Sequence, residues 1–299
     1  MLPHSRGNSS HPRGVRGLLL SVLCLTLWFV PATAHEGLPG QIQAISCQIA
    51  AGQERAELRL RRAELFRLMA DWEAAEADLR VAQALGSDSV RVSLCRAQLL
   101  ADQGHEADAL PLLDDALRRD PRLAEGWLLR SHLREGAGRP HEAAADLARA
   151  IALLPRATPS HYLRHARLLE AAPDSSRDSA LATLEAGMER LGPVPTLVLA
   201  AAQLETRLQR FDAALERILL LERAFPSPEI LWDRRAEVLL AAGRELEALS
   251  LYTRILESLE SGTHRDTPSL ATLETRARAV LATPLAEPRS RTPAPEVQP

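Results

Sequence analysis

Apolar positions recur along this chain with the period of an α-helix, and the helices they predict come in pairs. From Ala124 to Gly136, Trp127, Leu128, Leu129 and Leu133 fall at helical spacing, Gly138 and Pro140 interrupt the pattern, and Ala143, Leu147, Ala150 and Ile151 resume it before Pro155 stops it. Leu147 and Ile151 follow Ala143 at i+4 and i+8, which gives the second helix one continuous apolar stripe. Ala143 itself is small, as a close crossing of the two helices requires. A hairpin of this kind cannot bury both of its faces alone, so neighbouring copies must cover what is left.

Those copies lie at a fixed interval. The column through Ala143 reads Ala75, Ala109, Ala143, Ala180, Ala214 and Ala248, with successive differences of 34, 34, 37, 34 and 34. One helical turn further on stand Leu79, Leu113, Leu147, Leu184, Ile218 and Tyr252, and a third column reads Ala82, Ala116, Ala150, Gly187, Leu221 and Ile255. The single irregular interval places a three-residue insertion within 171–179, where Pro173, Asp174, Ser175 and Ser176 predict an enlarged turn between two helices.

The residues Trp127, Ser131, Gly138, Ala143, Leu147, Ala150 and Pro155, with Ala97, Gly104, Ala109, Leu113, Ala116 and Pro121 in the preceding copy, resemble the tetratricopeptide repeat, a helix-turn-helix unit of this period. The resemblance extends over six copies from about Glu57 to Glu260. Ala70 and Gln209 depart from it where the turn glycine is expected, as does His165 where a small residue is expected. It implies an all-α solenoid of about six stacked units with capping helices: residues 35–54 as an N-terminal half-repeat, 55–262 as the array and 263–282 as a C-terminal cap. Ile42, Ile45 and Ile49 provide one apolar face for the first cap, and Leu270, Leu273, Ala277, Val280 and Leu281 provide one for the last, whose Glu274, Arg276 and Arg278 are expected to face water. Thr158, Ser227 and Thr267, each followed by proline, mark helix starts. From Thr283 to Pro299 five prolines and few apolar residues predict a disordered tail.

Residues 1–34 stand apart from the array. Arg6, Arg13 and Arg16 precede an apolar run from Gly17 to Val30 and the small-residue site Ala32-Thr33-Ala34, the pattern of a secretory signal cleaved before His35. The alternative is a membrane anchor, but the run spans only about 21 Å as a helix against a hydrocarbon core of roughly 30 Å. The expectation is therefore export, periplasmic or extracellular, with no stable membrane span after cleavage.

Charge narrows the choice of partner. The formal net charge of −3 becomes −6 once the three leader arginines are removed, a poor match to nucleic acid. The sequence has no lysine, and its one asparagine, Asn8, lies in the leader. Lysine Schiff-base and phosphate-loop chemistry are thereby excluded, and the mature chain carries no Asn-x-Ser/Thr acceptor.

Candidate chemistry is sparse. Arg62, Arg96, Arg130, Arg164 and Arg235 repeat at one place in five units and could form a ladder for an anion. In two units, however, Asp78 and Asp146 follow the arginine by sixteen residues on the facing helix, which predicts structural ion pairs. His161 and His165 have zinc-like i, i+4 spacing but fall on packing columns with no third ligand. Cys47 and Cys95 could form a disulfide after export, though the hairpin between them should hold them apart. No phosphate loop, G-x-S-x-G elbow, H-E-x-x-H or paired C-x-x-C occurs, so neither enzyme activity nor a cofactor is expected.

Two functions follow from this pattern. The first, implied by the resemblance, is a scaffold that binds a protein or peptide partner on its concave surface. Its groove candidates are Leu60, Leu94, Leu128, Tyr162 and Leu199, with Glu64, Gln98, His132 and Gln203 one turn further along the same faces. The second is a copper-binding protein using the amine and imidazole of His35 at the mature N-terminus.

Overall fold

A computed structural model of the chain describes residues 37–172, 177–225, 229–261 and 268–282. These fold into fourteen helices, with no strand among the described residues. The N-terminal helix is α1 (Leu38–Ala50). Six hairpins follow it: α2 (Ala56–Leu68) with α3 (Trp72–Ala84), α4 (Ser89–Asp102) with α5 (Glu106–Arg119), α6 (Ala124–Gly136) with α7 (Pro140–Leu153), α8 (Pro159–Ala171) with α9 (Arg177–Leu191), α10 (Pro195–Arg207) with α11 (Phe211–Ala224), and α12 (Glu229–Ala241) with α13 (Glu245–Ser261). The last helix is α14 (Pro268–Ala282). The all-α solenoid is the architecture that the periodic columns imply.

The columns are the core. Ala75, Ala109, Ala143, Ala180, Ala214 and Ala248 are at most 1% exposed, and Leu79, Leu113, Leu147, Leu184, Ile218 and Tyr252 at most 2%. Each alanine sits where its helix crosses its partner, and each large residue fills the space one turn beyond. In the third unit Ser131 closes the crossing from the other side, its hydroxyl donating to the Ala143 carbonyl at 2.8 Å. That bond satisfies a polar side chain with no solvent access.

Turn geometry repeats as closely as packing does. Gly104, Gly138 and Gly243 each end a first helix with φ between 70° and 78°, and the N–H of the next residue reaches back to a carbonyl of the last turn, as in His105 to Leu100 and Arg139 to Arg134. Ala70 and Gln209, which replace glycine in the first and fifth units, adopt the same left-handed conformation at φ 58° and 59°. Asp71 and Arg210 make the same backward bond there, to Phe66 and Glu205. Hairpin packing therefore imposes the turn even where a side chain opposes it.

Both ends of the array are covered. α1 packs on α2 through the buried Ile45, and α14 lies on α13 and α12 through Leu273 and Ala277. Arg276 faces water as expected, with its side chain 42% exposed, and its guanidinium also reaches Asp233 at 2.9 Å and contacts Glu237 on α12. The aspartate it reaches is buried at 6% exposure, so the arginine supplies that carboxylate with a charged partner from the surface. At the start of α8, Thr158 serves as the cap, its backbone N–H donating to His161 Nδ1 at 3.0 Å. Ser227, Thr267 and the insertion residues 173–176 lie outside the described residues, as do the leader, His35 and the 283–299 tail.

Candidate functional site

First helices of successive units approach one another, α4 on α2, α6 on α4, α10 on α8, α12 on α10 and α14 on α12. Successive second helices show no comparable approach, so the array curves with its first helices on the inner side. The groove candidates all lie on these first helices, but the structure sorts them into two groups. Leu60, Leu94 and Tyr162 are 1%, 6% and 4% exposed and are packed into the core, where they offer almost no area to a partner. Leu128 and Leu199 remain partly accessible, as does Gln98, while Glu64, His132 and Gln203 are exposed.

The arginine column is consumed by ion pairs, in two arrangements. Within units one and three the partner is the expected aspartate: Arg62 Nε lies 2.6 Å from Asp78, and Arg130 and Arg134 share Asp146 at 2.8 Å each. In units two, four and six the arginine reaches back to the preceding unit instead, Arg96 to Glu76 at 3.0 Å, Arg164 to Glu135 at 2.7 Å and Arg235 to Glu222 at 2.6 Å. The fifth unit reverses the sign: Arg217, at the place of Asp78 and Asp146, pairs with the buried Glu205 at 2.8 Å and with Glu185 of the unit before at 2.6 Å. Sequence spacing found the pairs inside hairpins. It could not find those between hairpins, whose geometry depends on how units stack.

Further ion pairs run across the inner face from one first helix to the next. Arg67 contacts Asp102 between α2 and α4, Glu135 holds both Arg164 and Arg167 between α6 and α8, Arg207 contacts Glu170 between α8 and α10, and Arg276 joins α14 to α12. Among the described residues no ion pair joins α4 to α6 or α10 to α12. At the second of these steps the surface opens into a cleft of about 490 Å³. Its floor is apolar, formed by Leu199, Ala202, Ile218 and Val238, and its rim is polar, formed by Thr196, Gln203, Arg207, Arg234 and Glu237. Two groove candidates, Leu199 and Gln203, meet there. A depression of about 550 Å³ between α13 and α14 is instead bordered by Glu260, Glu274 and Arg278.

Titratable groups elsewhere have structural partners. His161 Nδ1 accepts from Thr158, and His165 Nδ1 lies 3.3 Å from Thr183 Oγ1. Burial holds both imidazoles below their ordinary range, helped at His161 by Arg164. No group of three or more metal-ligating side chains occurs among the described residues. Cys47 is exposed and Cys95 buried, and both are free thiols; burial pushes Cys95 up to about 11. Asp233 and Glu222 are raised from the usual carboxylate range by burial, against the pull of Arg276 on the first and of Arg235 on the second. No described helix is long and apolar enough to cross a membrane.

No known family pattern matches the sequence, and no curated protein matches it. Solved structures do share its shape. The C-terminal part of a TPR repeat-containing protein from Cytophaga hutchinsonii is 12% identical, with 79% of this chain and 94% of that one covered and a TM-score of 0.58. A tetratricopeptide repeat protein from Parabacteroides merdae is 14% identical over 80% of this chain and 92% of its own, with a TM-score of 0.43. The first likeness places the fold among tetratricopeptide-type solenoids.

Proposed function

We propose that this chain is a non-catalytic scaffold that holds a segment of another protein on its inner surface, outside the cytoplasm, after cleavage between Ala34 and His35. The observation that carries the reading is the α10/α12 cleft. It combines an apolar floor with polar rim groups on the side of the array where the first helices face a common space. Elsewhere the array's repeated charges are committed to internal pairs, which build a rigid surface rather than a reactive one. The leader pattern supports export, since a positive stretch, a short apolar run and Ala32-Thr33-Ala34 occur in the required order.

Partner capture tests the binding half. The exposed or partly exposed inner-face residues Glu64, Gln98, His132 and Gln203 are replaced together by arginine, and proteins retained from the exported fraction are compared with those held by the unmodified chain. Loss of a retained protein on a folded variant supports the inner surface, whereas an unchanged set moves the site to the outer face or the tail. N-terminal sequencing of the protein recovered outside the cytoplasm tests the export half: His35 as first residue supports cleavage, and recovery of a membrane-integral chain beginning at Met1 overturns it.

A further inference from the structure

Building on that reading, we infer that the α10/α12 cleft takes an aliphatic side chain flanked in its own sequence by acidic residues. The floor sets the first half of this description. Ala202, Ile218 and Val238 are at most 5% exposed and close the bottom with hydrocarbon, so a polar group inserted there would lose its water without gaining a partner.

The rim sets the second half. Two ion pairs have their arginine on the rim, and in each the arginine is the more exposed member: Arg207 at 46% against Glu170 at 24%, and Arg234 at 49% against Glu237 at 38%. The carboxylates are thus the more withdrawn members and the guanidiniums the more accessible. Each guanidinium carries five N–H donors. Arg207 commits Nη1 to Glu170 and Arg234 commits Nη1 to Glu237, which leaves donors at both edges of the apolar floor. A guest carboxylate there completes a charge-assisted pair. A basic guest would instead meet like charge.

Two further features fit such a guest. The side chain of Gln203 is exposed at the rim and has no side-chain hydrogen bond among the described residues, so its amide is available to a guest backbone. Glu237 contacts both Arg234 and Arg276, so a guest carboxylate that displaces it from Arg234 leaves it paired rather than stranded. The cleft also lies at one of the two inner-face steps that no ion pair crosses among the described residues, so a side chain enters without breaking a stitch between first helices.

The test is selection of a random displayed-peptide library against the full chain, followed by anisotropy measurements on the strongest peptide. The expected consensus is Leu, Ile, Val or Met next to Asp or Glu. Its binding should fall by about tenfold or more in Arg207→Gln/Arg234→Gln and weaken as salt approaches about 0.5 M. Gln203→Trp, which plugs the rim from an exposed position, should abolish it. Glu170→Gln distinguishes donor loss from a broken stitch: it frees Arg207 and is expected to preserve or tighten binding, and if it weakens binding as much as the arginine variants do, the assignment of Arg207 as a guest donor is overturned. A basic or purely polar consensus overturns the proposal. Peptides that bind wild type and Gln203→Trp equally overturn the cleft while leaving the scaffold reading intact, and a library that yields no binder counts against both.

Discussion

Gly187 on α9 lies directly against the ring of Tyr162 on α8, so that a Cβ at Gly187 would stand 2.8 Å from Tyr162 Cγ. Two columns of the repeat meet here. The first carries leucine in units one to three and tyrosine in the fourth; the second carries alanine in those units and glycine in the fourth. The larger ring and the missing methyl are two sides of one packing solution.

Gly187→Ala should therefore destabilise the protein although alanine is the better helix former. Overpacking costs about 1–3 kcal/mol, against a helix-propensity gain of about 1 kcal/mol. Tyr162→Leu combined with Gly187→Ala restores the arrangement of the third unit and should recover most of the loss. Thermal unfolding of the single and double variants measures this, and an additive double variant would show that the two sites are uncoupled.

Asp146 accepts from both Arg130 and Arg134 and is 2% exposed. Asp146→Ala leaves two guanidiniums one turn apart on α6 without the carboxylate they share, with a cost of about 3 kcal/mol, the low end for a broken buried pair because both arginines retain some solvent access and a second partner, Asp114 for Arg130 and Glu142 for Arg134. Substitution by leucine, the residue that Leu112 and Leu251 supply at this place in units two and six, should not rescue it while both arginines remain. Denaturant midpoints decide the matter.

Ala70→Gly and Gln209→Gly should each raise the melting temperature. Both residues occupy left-handed conformations at φ near 60°, where a Cβ costs roughly 1–2 kcal/mol. The added freedom of the unfolded chain returns about 0.4–1 kcal/mol of that. A fall in melting temperature would mean that the side chains contribute contacts outweighing the strain.

Acidification from neutral pH should weaken the fold through His161 and His165. Their folded pKa values are lowered, so the unfolded chain takes up protons first. The stabilisation is complete above the unfolded value of about 6.5 and is lost as pH falls from there through the folded values. Asp233 and Glu222 act with the opposite sign at lower pH, because their raised values let the folded state bind protons first. Melting temperatures of wild type and His161→Asn/His165→Gln between neutral pH and mild acid test this; an equal fall in both would exclude the two histidines as its source.

Thiol labelling should separate Cys47 on α1 from Cys95 on α4. Cys47 is exposed, whereas Cys95 is buried and raised to about 11. An alkylating reagent at mildly alkaline pH should modify Cys47 in the native protein and Cys95 only after denaturant is added. Peptide mass mapping reads both sites, and rapid native labelling of Cys95 would contradict the packing of α4.

Most of the fold was legible because a solenoid repeats its packing problem. Leu147 and Ala143 could be placed in the core from one unit and checked against five others, and every member of both columns is buried. The turn at Ala70 was harder, since its residue argues against the conformation that its neighbours impose. The inner face was only partly legible. Leu60, Leu94 and Tyr162 share a column with Leu199, yet the first three are closed over while Leu199 borders a cleft. That difference depends on the spacing between α10 and α12, and no local pattern records the spacing of helices that are a whole unit apart.

The unequal distribution of ion pairs on the two sides of the array also bears on its elasticity. At the α4/α6 and α10/α12 steps the inner face carries no charged tie among the described residues, while the back of the same junctions is fastened by Arg130 with Asp114 and by Arg235 with Glu222. A sheet of material tied on one side and free on the other opens like a book, with its spine at the tie. The inner-face ties among the described residues thus fall into three groups, on units one and two, on units three to five, and on unit six with α14, and the expected creases of this superhelix are the two steps between them. An inner surface creased there would adjust the span open to a long guest in two places rather than continuously along the array.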